Sequence, residues 1–192
     1  MSGALELLHP KLKGVLPRLG YSRLLPVQEK AIPVILSKNH TLVIAPTGSG
    51  KTEAAVLPVL SMMLSEASDK GSGGGVRVVY VTPLRALNRD IAERIERLSS
   101  SVGFKTLVRH GDTGPTGRRR FLEEPPDIVV TTPESLNLLL TLKDHRGIWS
   151  SVGWVIVDEI HEMLESERGS ELAVILERLQ LASKRRIQRI GL

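Results

Sequence analysis

The chain contains no cysteine, few aromatic residues and no long apolar run. Cysteine is absent from its 192 residues, and phenylalanine, tryptophan and tyrosine together make up 3%. The lack of cysteine excludes disulfide bonds and thiolate metal sites, and it agrees with a reducing cytoplasm. No stretch of about 18 apolar residues occurs, and the N-terminus lacks the apolar core of a signal peptide. The sequence therefore predicts a soluble cytoplasmic protein with no membrane partner.

What the chain does contain is enough apolar sequence for one sizeable core. Hydrophobic residues make up 41% of it, and the formal net charge is +5 at pH 7. A chain of this length buries the core of one domain, whereas two full domains would be crowded. The positive charge fits a polyanionic partner, although a solvated surface carries such a charge equally well. We expect a single domain over residues 1–192, with residues 1–39 as an N-terminal collar.

Short β-rich apolar runs alternate with helical segments along the chain. Strands are expected at 77–81, 105–109, 128–131, 154–157 and 187–190, after an apolar run that ends before residue 45. Helices are expected at 27–37, 53–68, 84–99, 134–142 and 170–181. The run at 154–157 is apolar throughout, as strands buried on both faces are. This alternation predicts an α/β fold, with a mainly parallel sheet covered by helices on both faces.

Residues 45–52 carry the most informative motif. They read Ala-Pro-Thr-Gly-Ser-Gly-Lys-Thr and fit the phosphate-loop pattern, with alanine in place of its first glycine. The glycines remove Cβ atoms that would keep phosphate oxygens away from inward-turned backbone N–H groups. Lysine would contact the β and γ phosphates, and threonine would offer its hydroxyl to Mg²⁺ at a helix N-terminus. The alternative is a Gly-rich turn that binds nothing. The predicted nucleotide-binding residues of this loop are Thr47, Gly48, Ser49, Gly50, Lys51 and Thr52.

A glutamine lies upstream of this loop. Residues 20–28 read Gly-Tyr-Ser-Arg-Leu-Leu-Pro-Val-Gln. A glutamine amide carries both a donor and an acceptor, so it can meet an adenine edge in two hydrogen bonds. Gln28 is therefore predicted to select adenine. The alternative is an exposed glutamine that opens the helix expected at 27–37.

Two acidic residues follow the strand expected at 154–157, in the sequence Asp-Glu-Ile-His at 158–161. Adjacent carboxylates at the end of a buried strand are costly unless a cation or a substrate uses them. Asp158 would hold Mg²⁺, and Glu159 would orient and deprotonate the water that attacks the γ-phosphate. The alternative is a solvated strand end that caps the next helix. The predicted catalytic residues are Glu159, Lys51 and Asp158, and the predicted Mg²⁺ ligands are Thr52 and Asp158.

Six motifs follow one another in a recognisable order, at 20–28, 45–52, 82–87, 111–113, 131–136 and 158–161. Together they resemble the first RecA-like domain of superfamily-two helicases over residues 20–192. Within that superfamily, the Asp-Glu-Ile-His box and the segments at 83–90 and 168–172 are most similar to the large helicase-related (Lhr) proteins of bacteria and archaea. DEAD-box RNA helicases carry aspartate where this chain has His161.

The resemblance implies a RecA-like P-loop fold, a three-layer sandwich with a mainly parallel central sheet. It implies ATP and Mg²⁺ as cofactors, with Tyr21 beside Gln28 in nucleotide binding. It also implies a second RecA-like domain, absent from this chain, whose position beyond Leu192 would close the ATP cleft. A groove for one nucleic-acid strand is implied along the sheet edge, lined by Pro83, Arg85, Gly111, Asp112, Thr132 and Pro133.

These features predict the ATP-binding motor domain of a DNA helicase, and the resemblance suggests 3′ to 5′ movement. Single-stranded or forked DNA is favoured over RNA as the partner. The low aromatic content favours contacts to phosphates over base stacking. Two alternatives stay open: an RNA helicase motor domain, and a nucleotide-switched module that binds nucleic acid. The chain alone is expected to be monomeric and to hydrolyse ATP weakly or not at all.

Overall fold

The structure, a computed structural model, describes residues 3–69, 74–83, 89–109, 119, 121–141, 147–164 and 167–192. Six strands form one sheet in the order β1-β6-β5-β2-β4-β3, and every neighbouring pair is parallel. The strands are β1 (Thr41–Leu42), β2 (Val78–Val81), β3 (Thr106–Arg109), β4 (Ile128–Thr131), β5 (Trp154–Val157) and β6 (Gln188–Gly191). The predicted parallel sheet is confirmed.

Helices connect these strands, and three short 3-10 turns accompany them among the described residues. The turns are Ala4–Leu7, Leu16–Leu19 and Ile148–Ser151. The helices are α1 (Pro10–Val15), α2 (Pro26–Leu36), α3 (Lys51–Asp69), α4 (Arg89–Ser101), α5 (Pro133–Thr141), α6 (Ile160–Leu164) and α7 (Glu167–Ala182). The helix expected at 84–99 is described from residue 89 onward. None of the described helices is both long and apolar enough to cross a membrane.

The sheet buries a separate hydrophobic cluster on each face. Successive side chains of a strand point to opposite faces, so Tyr80 and Ile156 join one cluster while Val79 and Val155 join the other. Helices α1 to α4 cover the first cluster, and α5, α6 and α7 cover the second. The predicted cover of helices on both faces is therefore confirmed.

The N-terminal collar packs against the first of these clusters. Leu8, Leu12 and Leu16 are buried there beside residues of α3. The backbone N–H of His9 donates to the Ser61 hydroxyl at 2.8 Å, which fixes the collar to α3 through a polar contact as well. Helix α2, which belongs to the collar, contacts the residue before α3 through the hydrogen bond from Gln28 to the Gly50 carbonyl.

Strand β1 is shorter than the apolar run before residue 45 suggests. It spans two residues, and the Val43 N–H still donates to the Gly191 carbonyl at 2.9 Å. Ile44 then leaves the sheet and is 87% exposed. Because β1 is the edge strand, beside only β6, its end needs no pairing and the chain is free to turn into the glycine-rich loop.

Candidate active site

A cleft of about 600 Å³ opens where the segments after β1 and β5 meet. Both segments follow the carboxyl ends of parallel strands, the edge at which open α/β sheets collect their functional groups. Of the predicted nucleotide, metal and catalytic residues, all but Ser49 line this cleft: Tyr21, Gln28, Thr47, Gly48, Gly50, Lys51, Thr52, Asp158 and Glu159. Three segments far apart in sequence thus form one site.

The loop that enters the cleft depends on two left-handed glycines. Gly48 has φ of 75° and Gly50 has φ of 88°, a region that disfavours residues with a Cβ. A Cβ on Gly50 would lie 2.6 Å from Gln28 Nε2, whereas one on Gly48 would meet no atom within 4 Å. Gly50 therefore packs against the collar, and Gly48 borders the cleft itself.

Lys51 and Ser49 are two of the polar side chains of this loop. The Lys51 ammonium donates to the Ala45 carbonyl at 2.9 Å, so it lies across the loop. The Ser49 hydroxyl is buried and has no hydrogen-bond partner among the described residues. Helix α3 begins at Lys51, and its N-terminal N–H groups and dipole favour an anion at this position.

Gln28 joins the collar to the glycine-rich loop. Its Nε2 donates to the Gly50 carbonyl at 3.2 Å, and its Oε1 accepts from the Leu25 N–H at 2.8 Å. The side chain is 2% exposed. An amide has two N–H donors and two acceptor lone pairs, so these two bonds use one of each. Adenine selection by Gln28 stays a prediction.

Tyr21 lies at the cleft beside a buried acid from α3. Its hydroxyl donates to Glu53 Oε1 at 3.1 Å, and Arg94 from α4 lies 3.3 Å from the same oxygen. Burial, followed by the charge and hydrogen bond of Glu53, raises the pKa of Tyr21 to about 12. The phenol is therefore a neutral hydrogen-bond donor at physiological pH. The three residues connect the collar, α3 and α4 along one wall.

Asp158 and Glu159 form the acidic end of the cleft. Asp158 is 4% exposed, and its two oxygens accept from the Tyr80 hydroxyl at 2.5 Å and the Glu159 N–H at 3.0 Å. Burial, then the neighbouring Asp158 charge, raises the pKa of Tyr80 well above its ordinary value. Glu159 has φ of 47°, a strained conformation for a residue with a Cβ, and such strain is typical of functional sites.

The oxygen atoms present fit a hard divalent cation such as Mg²⁺. Thr52 and Asp158 line the cleft and are both almost fully buried. Within the described part of the chain, no group of three or more histidine, cysteine, aspartate or glutamate residues could hold a metal ion by itself. Mg²⁺ commonly takes one or two protein oxygens and completes its shell with phosphates and water. A metal site here would therefore depend on a bound nucleotide.

The residues predicted to line the nucleic-acid groove are only partly described. Arg85, Gly111 and Asp112 lie outside the described residues. Pro83, Thr132 and Pro133 are at the same sheet edge but are buried. The Thr132 hydroxyl accepts from the Ser135 N–H at 3.3 Å, so it caps α5, and Pro133 is the first residue of that helix. Thr132 and Pro133 thus have a structural role in helix initiation, and the contact of all three residues with nucleic acid stays a prediction.

Sequence reasoning missed the second layer of this site. No sequence motif points to Tyr80, Glu53 or Arg94, although each contacts a predicted site residue or its neighbour. A compositional signal was present, because the chain has only two tyrosines. Both donate their hydroxyl to a carboxylate at the cleft. A tyrosine within an otherwise aliphatic buried strand was the observation that could have led to Asp158.

A parallel sheet in this strand order, with a glycine-rich loop and an acidic strand end in one cleft, defines a RecA-like P-loop domain. The family model described as "DEAD/DEAH box helicase" matches residues 25–192. The chain belongs to the DEAD/DEAH box helicase family, and nucleotide binding is implied by that membership.

Curated relatives point to helicases named Lhr. The chain is 36% identical over 184 residues to the ATP-dependent helicase Lhr-Core of Saccharolobus solfataricus, covering 91% of this chain and 21% of that protein. It is 37% identical over 182 residues to the Lhr helicase/uracil glycosylase of Escherichia coli, covering 86% of this chain and 12% of that protein. The chain thus spans about a fifth or less of the length of these relatives.

Solved structures agree with this assignment. The Mycobacterium smegmatis helicase Lhr bound to ssDNA and AMP-PNP has a TM-score of 0.79 and 37% identity, over 99% of this chain and 25% of that one. The DEAD-box helicase Mss116 bound to ssRNA and UDP-BeF has a TM-score of 0.85 over 100% of this chain and 40% of that one. At 24% identity, the second likeness shows the fold alone. Both confirm the predicted RecA-like class.

Proposed function

We propose that the chain is the ATP-binding motor domain of an Lhr-like DNA helicase, which hydrolyses ATP to move along a nucleic-acid strand. One observation carries this proposal: the base-selecting, phosphate-binding and acidic segments line a single cleft. Each segment alone has an ordinary structural explanation. Their convergence at the carboxyl edge of a parallel sheet supports one nucleotide site with a hydrolytic carboxylate.

The roles of the residues follow from their chemistry. The loop at 47–51 holds the phosphates through backbone N–H groups and the Lys51 ammonium. Thr52 and Asp158 hold Mg²⁺, which when bound neutralises the charge that develops on the phosphate oxygens. Glu159 accepts a proton from water as its oxygen attacks the γ-phosphorus. The bond from that phosphorus to the β–γ bridging oxygen breaks, so the products are ADP and phosphate.

The proposed nucleic-acid partner is a single or forked DNA strand along the sheet edge. The Lhr structure similar to this chain is bound to ssDNA and AMP-PNP, which favours DNA. The Mss116 structure is bound to ssRNA, which keeps the RNA helicase reading as the alternative. The family resemblance suggests 3′ to 5′ movement. The segments at 82–87, 111–113 and 131–136 would contact the strand through its phosphates.

We further propose that a second RecA-like domain supplies the other wall of the ATP site. The Lhr chain that this chain matches is about four times as long, because this chain covers 25% of it. Hydrolysis would then need groups from that wall, including an arginine that stabilises the transition state. The alternative function, a nucleotide-switched binding module, is favoured for the isolated chain by the same observation.

Single-turnover unwinding by the intact parent protein tests the proposal. DNA and RNA duplexes with either a 3′ or a 5′ overhang are compared, together with ATP binding and ATP turnover. Glu159→Gln should bind ATP as the unchanged protein does but lose turnover and unwinding, because the carboxylate no longer takes the proton. Retained turnover in Glu159→Gln would remove its catalytic role. Unwinding of RNA duplexes only would replace the DNA assignment with the RNA alternative.

A further inference from the structure

Tyr80 lies in the middle of the sheet, directly beneath the acidic end of the cleft. Its strand β2 pairs with β5 in register, with Tyr80 opposite Ile156. Asp158 is two residues beyond Ile156, so the pleat directs it to the same face of the sheet as Tyr80. The ring is packed in the hydrophobic cluster on that face and is 1% exposed. Only the hydroxyl reaches the site.

That hydroxyl contacts one of the residues that we assign to the metal. It donates to Asp158 Oδ2 at 2.5 Å, and both partners are buried. Tyr80 thereby connects β2 to the acidic residue that follows β5.

This contact leaves further lone pairs of the carboxylate available. Asp158 Oδ1 accepts from the Glu159 N–H at 3.0 Å, so each carboxylate oxygen already has one donor. A carboxylate oxygen retains a further lone pair. The two donors hold the carboxylate in one rotation at the cleft that it lines.

A purely structural role does not account for the hydroxyl. The other three residues of β2 are valines, and burying a phenol O–H costs free energy that an apolar side chain would avoid. The space beneath the ring is about 10 Å³, so the ring is already closely packed. Phenylalanine would fill the same volume and remove only the oxygen.

We propose that Tyr80 is a positioning residue for the magnesium site, and that its hydroxyl holds the Asp158 carboxylate in the orientation that Mg²⁺-nucleotide requires. The inference rests on the proposed function, because it needs the cleft to bind a nucleotide with its metal. Groups that orient metal ligands typically contribute about 10- to 100-fold in metal affinity or activity.

The test measures ADP binding to the chain by calorimetry, without Mg²⁺ and across a Mg²⁺ titration. Tyr80→Phe should keep the affinity for ADP without metal and require about 10-fold more Mg²⁺ to reach half of the metal-dependent gain. Ser99→Ala is the matched control, since it also removes a buried hydroxyl, one that contacts Thr106 Oγ1 at 2.6 Å away from the cleft. It should leave both quantities unchanged.

A double-mutant cycle with Asp158→Asn tests whether the effect passes through the carboxylate. In the Asp158→Asn background, Tyr80→Phe should change the Mg²⁺ requirement by less than about 2-fold, because the oriented ligand is already lost. The same 10-fold change in both backgrounds would overturn the inference. So would a loss of metal-free ADP affinity equal to the loss with Mg²⁺, which would indicate a purely structural role.

The outcomes separate this inference from the function on which it rests. Absence of ADP binding by the unchanged chain, with or without Mg²⁺, would contradict the nucleotide site itself. Magnesium-dependent binding that is identical in the unchanged chain and in Tyr80→Phe would overturn only the role of Tyr80. Thermal unfolding of each variant confirms that the binding measurements compare folded proteins.

Discussion

Two arginines converge on Glu66, near the amino ends of β2 and β5. Arg185 donates to both carboxylate oxygens at 2.8 and 2.5 Å, and Arg77 contacts Oε2 at 3.3 Å. The Arg185 guanidinium also lies 5.1 Å from the centre of the Trp154 ring. Burial alone would raise the pKa of Glu66, but the hydrogen bonds and charges of the two arginines outweigh it and lower that pKa.

This lowered pKa predicts a specific loss of stability in acid. A carboxyl whose folded pKa is depressed stabilises the protein above its unfolded pKa, and the contribution disappears as pH falls through the folded value. The unfolded value is about 4.5. Glu66→Gln should therefore unfold at lower urea concentration than the unchanged chain at pH 7, with the difference shrinking below about pH 4.5. The measurement is urea unfolding from pH 7 to pH 3.

Glu6→Gln is the control for that prediction. Glu6 also pairs with a cation, Lys13 at 2.7 Å, but its side chain is 61% exposed, against 31% for Glu66. Exposed pairs contribute about 0–1 kcal/mol, so Glu6→Gln should follow the unchanged chain at every pH. If the difference in urea midpoint between Glu66→Gln and the unchanged chain stays constant down to pH 3, the charge of Glu66 does not contribute to stability.

The two glycines of the glycine-rich loop, Gly48 and Gly50, have different structural roles. Both Gly48 and Gly50 are left-handed, so alanine at either position costs about 1–2 kcal/mol in backbone strain. Only at Gly50 would the new Cβ also meet Gln28 Nε2 at 2.6 Å and Leu25 Cδ1 at 2.8 Å. Such crowding typically adds about 1–3 kcal/mol.

Gly50→Ala should therefore be the less stable of two otherwise matched variants. We expect its free energy of unfolding to fall about 1–3 kcal/mol further than that of Gly48→Ala. Equilibrium urea unfolding of the two variants side by side measures the difference. Equal stabilities would show that Gln28 and Leu25 move away from the new Cβ with no loss of free energy of unfolding. That result would contradict close packing of Gln28 against the loop.

The elements also show where sequence reasoning succeeds and where it stops. The strands expected at 128–131 and 154–157 have the bounds found for β4 and β5, because each is a buried run that starts abruptly after turn residues. Helix α7 begins at residue 167 rather than 170, because its first turn is largely exposed and shows no apolar periodicity. Edge strand β1 ends early because only β6 pairs with it.

For the whole molecule, the convergence of the motifs on one cleft could be predicted from sequence, but the contacts within that cleft could not. Motifs that follow parallel strands must share the carboxyl edge of the sheet, which places residue 51 near residue 158 once the strands are recognised. Strand order is not encoded in local periodicity. The adjacency of β2 and β5, and with it the contact of Tyr80 with Asp158 across 78 residues of sequence, therefore required the structure.

The composition of the collar predicts that it packs on the core. It does not predict how the collar contacts the cleft. Residues 1–39 were expected to form a collar, and its leucines do enter the core cluster. The collar reaches the cleft through two side-chain hydrogen bonds between separate segments. One joins Gln28 to Gly50, and the other joins Tyr21 to Glu53. A nucleotide in the cleft would contact collar and loop together.

The most direct measurement is the affinity of the 192-residue chain for Mg²⁺-ATP, compared with that of Lys51→Ala. The Lys51 side chain lies across the loop that we assign to the phosphates, so its removal should lower binding below detection while leaving the thermal unfolding temperature nearly unchanged. We expect one ATP per unchanged chain and none for the folded variant. Equal ATP binding by both proteins would show that this cleft is not the nucleotide site.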